Sequence, residues 1–249
     1  MVTAAPAGGL VLSIVSHGHG LQVQELLHAL ARLRSPVLAR VVLTQNCPEA
    51  GPVEPAGGWP FLLELRRNAQ PLGFGANHNR ALAGALESWL GVLNPDVQWR
   101  GADPFAALVA AAAAPRVGCA YPVQTDAQGK LQDSERELPT PRNLWRRHMG
   151  RRAETRVDWV NAACCVFPRA AWESVGGFDE GYFMYCEDVD LCLRLRLCGW
   201  ALARAEAIVQ HAGQRASRRD WRHLRWHVQS LLRLWRSPAY RAMRRELPL

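Results

Sequence analysis

Short apolar runs alternate with amphipathic stretches along the first half of this chain, and their order predicts its elements. Residues 10–16 (LVLSIVS) read as a strand buried on both faces, residues 21–33 as a helix and residues 39–44 as a second strand. That βαβ opening implies a parallel sheet. Residues 47–60 are rich in Pro and Gly and read as a loop, residues 61–66 as a third strand and residues 75–89 as a second helix. A short strand at 91–93 then ends at Asn94-Pro95-Asp96. Beyond it come an Ala-rich helix (104–114), a strand (117–122), a polar, arginine-rich excursion (124–156), a buried strand (159–168) and a last short strand (207–211). Ligands of open α/β sheets gather at the carboxyl ends of the strands, which puts Asp96 at a site.

The densest chemistry lies in residues 176–200, GGFDEGYFMYCEDVDLCLRLRLCGW. Asp179, Glu180, Glu187, Asp188 and Asp190 crowd together among Phe178, Tyr182, Phe183 and Tyr185, a crowding that needs a cation, a basic partner or a proton to be tolerable. Glu187 and Asp188 stand in the first turn of an amphipathic helix, where the macrodipole favours them and a carboxylate is well placed to accept a proton. The plainer alternative is an acidic loop with an ordinary helix cap.

Charge changes the picture at the C-terminus. The chain of 249 residues carries a net +8, and from Arg215 onward ten arginines face only Asp220 and Glu246, so the preceding body is neutral. A neutral body with an acidic segment argues against a nucleic-acid binder, and the basic tail implies a local contact with something anionic. Within 218–236, Trp221, Leu224, Val228, Leu231 and Trp235 recur at helical spacing among Arg219, Arg222, Arg225, Arg233 and Arg236. Such a basic amphipathic helix either attaches to an anionic membrane surface or packs on the body with a solvated basic face. No apolar run is long enough to span a bilayer and the N-terminus lacks a basic n-region, so a cytoplasmic protein is expected. The seven cysteines form no CxxC pair and point to free thiols.

The acidic segment resembles the acceptor-side signature of family 2 glycosyltransferases of the GT-A fold, in particular their bacterial rhamnosyltransferase-like branch. Three more segments resemble that family in the same order: LSIVSH (12–17) its opening strand, NAQPLGFGANHN (68–79) its donor loop, and LNPDV (93–97) a variant of its metal-binding DxD. The resemblance runs from about residue 10 to about 213 and implies a Rossmann-like, mostly parallel sheet with flanking helices. It divides the chain into a catalytic domain, 1–214, and a basic amphipathic helical extension, 215–249.

Family likeness also implies roles. Asp188 would be the catalytic base of an inverting transfer, and Asp96 with His211 would hold Mg²⁺ or Mn²⁺. Ser16, His17, Gln45, Asn46, Asn68, Gly73, Phe74, Gly75, Asn77, Asn79, Asn94 and Asp96 would bind the donor, and Asp179, Glu180, Tyr185 and Glu187 the acceptor. The favoured donor is dTDP-rhamnose, with a UDP-hexose or a non-catalytic protein of this fold as alternatives. The expected acceptor is a saccharide or lipid-linked saccharide of bacterial surface-glycan assembly, met at the cytoplasmic face of the inner membrane. Two departures stand out: Gln45 replaces an Asp usual after the second strand, and Asn161 replaces a Gly before the acidic segment.

Overall fold

The computed structural model describes residues 8–149, 156–211 and 221–246. In chain order the elements are β1 (Leu10–Ser16), α1 (Gly20–Leu33), β2 (Leu38–Gln45), β3 (Leu62–Arg67), α2 (Phe74–Leu82), β4 (Trp89–Leu93), β5 (Val97–Trp99), α3 (Pro104–Ala112) and β6 (Val117–Thr125). They continue with β7 (Glu135–Arg136), α4 (Pro141–His148), β8 (Trp159–Val160), β9 (Cys164–Pro168), α5 (Arg169–Val175), α6 (Glu187–Leu197), β10 (Ala201–His211), α7 (Trp221–Arg236) and α8 (Pro238–Glu246).

Eight strands form one sheet in the order β3-β2-β1-β4-β9-β6-β10-β5. Parallel pairing joins β3, β2, β1 and β4, and likewise β6 and β10. The sheet is mixed, because β9 runs antiparallel to both its neighbours and β5 antiparallel to β10. As a result the ends of β1, β2, β3, β4 and β10 share one edge with the starts of β5 and β9. Both sheet faces are covered, which is why β1 is apolar along nearly its whole length. On one face α1 buries Val23, Leu26, Leu27 and Leu30, an i, i+3, i+4, i+7 stripe, and α3 lies beside it. Asp103 starts α3 by accepting the N–H groups of Phe105 (2.9 Å) and Ala106 (3.2 Å).

The other face carries α2, α5 and α6, and Leu234, Ala239, Tyr240 and Met243 of the C-terminal helices are buried in the same cluster. The 215–249 extension therefore shares a core with the body through its described part.

Several expected boundaries shift. The helix expected over 75–89 stops at Leu82, because Gly84 turns the chain at φ +70° and Trp89 is drawn into pairing with Leu10. The strand expected over 159–168 is split into β8 and β9, and the last strand begins at Ala201 rather than 207. Part of the polar excursion is ordered: β7 pairs with β8, and Thr140 caps α4 through Asn143 N–H. The apolar stripe of α7 divides. Trp221, Leu224 and Val228 are 68%, 55% and 49% exposed, while Leu231 and Trp235 pack against the core and the fully buried position is Leu234. Arg219 lies outside the described residues. All seven cysteines are unpaired, and no described helix is long and apolar enough to cross a membrane.

Candidate active site

Asp96 and His211 come together through strand register. Val97, the residue after Asp96, is the antiparallel partner of His211, so the two functional groups face each other across β5 and β10. His211 Nε2 lies 3.4 Å from Asp96 Oδ1, and His211 Nδ1 is buried with no hydrogen-bond partner. Among the described residues no group of three His, Cys, Asp or Glu converges. A cation here would have one carboxylate and one imidazole from the protein and would need further oxygens from its ligand, a donor set that suits Mg²⁺ or Mn²⁺.

Asp188 is the second residue of α6, whose first turn follows two consecutive residues, Tyr185 (φ 71°) and Cys186 (φ 65°), in the left-handed region. Neither is glycine, so this turn stores strain of order 1–3 kcal/mol per residue, held by the packing around it. Burial pushes the Asp188 carboxyl up to about 6, against hydrogen bonds from backbone N–H groups and the charge of Arg136. Glu187, more deeply buried beside it, is pushed well above the ordinary range, first by burial and then by Asp188, and its Oε2 has no partner. Of the two acids, Asp188 is the one that ionises near neutral pH and can take a proton.

These two corners are joined by one dipeptide. The Ala162 backbone helps to favour the ionised form of Asp188, and the carbonyl of Ala163 accepts the N–H of Asn94 at 2.8 Å, two residues before Asp96. Asn161, just before them, forms a reciprocal amide pair with Gln124 (2.6 and 3.1 Å), so the Asn that replaces a Gly has a fixed structural use.

The donor-loop amides form a network. Asn46 Oδ1 accepts from Asn68 Nδ2 and Leu72 N–H, both at 2.8 Å; Asn68 Nδ2 also donates to Asn77 Oδ1 at 2.6 Å, and Asn77 returns to the carbonyls of Leu72 and Gly73. Asn46 Nδ2 reaches His17 Nδ1 at 3.1 Å, and Ser16 Oγ accepts His19 N–H. These residues thus brace the loop 68–74 on the ends of β1, β2 and β3. Gly73 and Gly75 are glycines for packing: a Cβ on Gly73 would lie 2.7 Å from the Phe183 carbonyl, and one on Gly75 would lie 2.6 Å from Phe178 Cβ. Phe74 N–H donates to that same Phe183 carbonyl at 2.9 Å, so the donor loop is docked directly on the acidic segment.

Three expected binding residues have their polar groups engaged by protein. Gln45 is buried, its amide donating to the Ala50 carbonyl (2.7 Å) and accepting from Arg67 Nε (3.0 Å). Asn79 grips the backbone of Phe178 from both sides and also holds Glu180 at 3.1 Å. Asp179 pairs with Arg233 of α7 at 2.8 Å, which holds its carboxyl below the ordinary range against the pull of burial.

Sequence reasoning did not find the lining supplied by α7. His223 Nδ1 hydrogen-bonds Tyr185 Oη at 2.8 Å, Trp226 packs on Phe183 with ring centroids 4.9 Å apart, His227 lies 5.0 Å from the Tyr185 ring, and Ser230 Oγ donates to the Met184 carbonyl at 2.8 Å. The 223, 226, 227, 230 spacing is helical, but a search for apolar periodicity passes over a histidine-rich face.

No family model matches the chain. It is 28% identical over 94% of its length to the N-acetylglucosaminyl-diphospho-decaprenol L-rhamnosyltransferase of Mycobacterium tuberculosis, covering 89% of that protein. A shorter stretch, 32% of this chain and 31% of the relative, is 40% identical to the rhamnosyltransferase WbbL of Escherichia coli K12. In fold it matches the mannosyltransferase of Pyrobaculum calidifontis in complex with GDP-Man and Mn²⁺ at TM-score 0.62 and 17% identity, over 96% of this chain and 69% of that one. The chain is a rhamnosyltransferase-like glycosyltransferase of the GT-A fold. Staphylococcus aureus TarS in complex with UDP is a more distant match, TM-score 0.51 at 14% identity, over 83% of this glycosyltransferase and 58% of that chain.

Proposed function

We propose that this glycosyltransferase moves rhamnose from a dTDP-linked donor to a lipid-diphosphate-linked saccharide in bacterial surface-glycan assembly, with inversion and with a divalent cation. The observation that carries the reading is the approach of His211 to Asp96 at 3.4 Å, with the dipeptide Ala162-Ala163 between that corner and Asp188: the Ala163 carbonyl holds Asn94, and the Ala162 backbone favours the ionised Asp188 carboxyl. Support for rhamnose and for a diphosphate-linked acceptor comes from the names of the relatives, and support for a cation from the Mn²⁺ complex of the structural neighbour.

Asp96 and His211 would hold the cation, which when bound supplies positive charge opposite a leaving diphosphate. Asp188 takes the proton from the acceptor hydroxyl as its oxygen attacks the anomeric carbon, and the bond from that carbon to the diphosphate oxygen breaks. One in-line base inverts the anomeric centre, and no carboxylate is needed as a covalent nucleophile. The braced amides of Asn46, Asn68 and Asn77 fix the loop that faces the nucleotide. Gln45, turned to Ala50 and Arg67, would not read the base through its side chain.

The exposed Trp221, Leu224 and Val228 with Arg222 and Arg225 would seat the protein on an anionic membrane, where a lipid-linked acceptor is found. A second exposed patch of the same chemistry, Trp145 and Met149 with Arg142 and Arg146, lines an open groove of about 420 Å³ beside α4. The test is turnover of a nucleotide-sugar panel with and without EDTA. Cation-dependent use of dTDP-rhamnose over UDP- and GDP-hexoses is expected, and preference for a UDP-hexose would replace the donor assignment.

A further inference from the structure

α4 turns outward the kind of face that a helix packed for stability turns inward. Arg142, Trp145, Arg146 and Met149 stand at i, i+3, i+4 and i+7, so they form one stripe along the helix. All four are exposed, Trp145 to 64% and Met149 to 51%. The helix is fastened by other residues: Asn143 Nδ2 donates to the Leu138 carbonyl at 2.9 Å, and Arg147 pairs with Asp133. The stripe itself carries two positive charges and no acid.

α7 repeats the pattern. Trp221, Leu224, Arg225 and Val228 have the same spacing, and all four are exposed. The two helices are also tied together, because Trp235 Nε1 of α7 donates to the Pro139 carbonyl at 2.9 Å, two residues before α4 begins. Only about 10 Å of helix axis separates Trp235 from Val228. A single exposed apolar side chain needs no explanation, but an outward stripe repeated on two linked helices does. Arginine stems cover apolar surface while their guanidinium groups reach lipid phosphates, and tryptophan settles at the boundary between headgroups and acyl chains. A second protein copy fits less well: one stripe of four side chains is small against the roughly 800 Å² per partner that a standard interface buries.

We propose that the outward stripe of α4 is a second lipid-binding surface, taking the phosphate headgroups and outer acyl region of an anionic bilayer, so that the enzyme docks at two points. The proposal rests on the membrane reading of α7 in the preceding section and extends it to a helix from the middle of the chain. A protein held by one interfacial helix is free to roll about that helix axis, whereas a second contact off the axis stops the roll. The catalytic segment is bonded to the inner side of α7 through Tyr185 and His223, so fixing the roll also fixes the height of the active site above the lipid.

The test is cosedimentation of the full chain with vesicles of phosphatidylglycerol and phosphatidylcholine at low salt. Arg142→Gln with Arg146→Gln should lower the apparent affinity about thirtyfold, at about fivefold for each basic group near the surface. Adding Arg222→Gln and Arg225→Gln should bring the loss to about a thousandfold, because separate contacts on one rigid body add. Arg32→Gln with Arg34→Gln removes the same charge from exposed positions at the end of α1, across the sheet, and should change affinity less than about threefold. Equal losses from the α1 and α4 pairs would reduce the effect to net charge and overturn the proposal. Vesicles with brominated acyl chains quench tryptophans that enter the bilayer, and the quenched fraction should fall in both Trp145→Ala and Trp221→Ala. A fall in Trp221→Ala alone overturns the α4 surface and leaves the α7 reading intact, whereas no vesicle binding by the parent removes both. A parent that sediments as a dimer and becomes a monomer on Trp145→Ala with Met149→Ala would assign the stripe to a second copy and likewise overturn it.

Discussion

Replacing Asp188 by Asn should slow transfer severely and at the same time make the protein more stable at neutral pH. Ionising this carboxyl inside the fold costs about 3 kcal/mol, the free energy separating an ordinary 3.8 from about 6. Because the folded value is raised, the folded state holds the proton more tightly than the unfolded chain does. Stability is therefore lost as pH rises from about 4 to about 6, and the full cost is present at about pH 7.5. Asn keeps the shape and can still accept the Val189 N–H, but it never ionises. The variant should melt about 5 °C higher than the parent at about pH 7.5, with the difference vanishing near pH 4. Turnover should fall about 10²- to 10⁴-fold, the usual contribution of a general base. In the parent, kcat/KM should climb about tenfold per pH unit below about 6 and level off above it. Calorimetric melting at the two pH values together with a transfer assay reads all of this. A variant that melts lower at about pH 7.5 and retains activity would refute the assignment, because Asp188 would then be a structural acid.

Asp96→Ala and His211→Ala should each remove the cation dependence of nucleoside diphosphate binding, and EDTA should weaken binding in the parent but not in the variants; equal affinity of the parent with and without EDTA counts against the cation corner. Gly73→Ala forces a methyl group against the Phe183 carbonyl, so a loss of about 1–3 kcal/mol by denaturant unfolding is expected together with lower activity, and an unchanged midpoint would show that the donor loop is not docked as described. Arg222→Gln with Arg225→Gln should weaken sedimentation with anionic vesicles by about 2 kcal/mol in all while sparing transfer to a soluble acceptor. Arg233→Gln acts differently: it releases Asp179 and should lower stability without affecting vesicle binding, and reduced sedimentation would return Arg233 to the membrane face.

What the sequence determined by itself is what depends on local pattern and on motif order. The βαβ opening was legible because buried strands are apolar runs of characteristic length, and the first-turn acids of α6 because a helix start favours carboxylates. The ordered motifs pointed to the family, and Asp96, Asp188 and His211 came with it. The tertiary structure decided everything that rests on pairing between distant segments. That β9 and β5 run antiparallel, and that His211 meets Asp96, follow from strand register, which the composition of a short strand does not encode. The uses of Gln45, Asn79 and Asp179 depend on Ala50, Phe178 and Arg233, and the last two partners lie about 50 to 100 residues away in the chain. The histidine face of α7 was hidden for the same reason: apolar periodicity shows which side of a helix dislikes water, whereas a polar face reveals its purpose only when the surface it packs against is known.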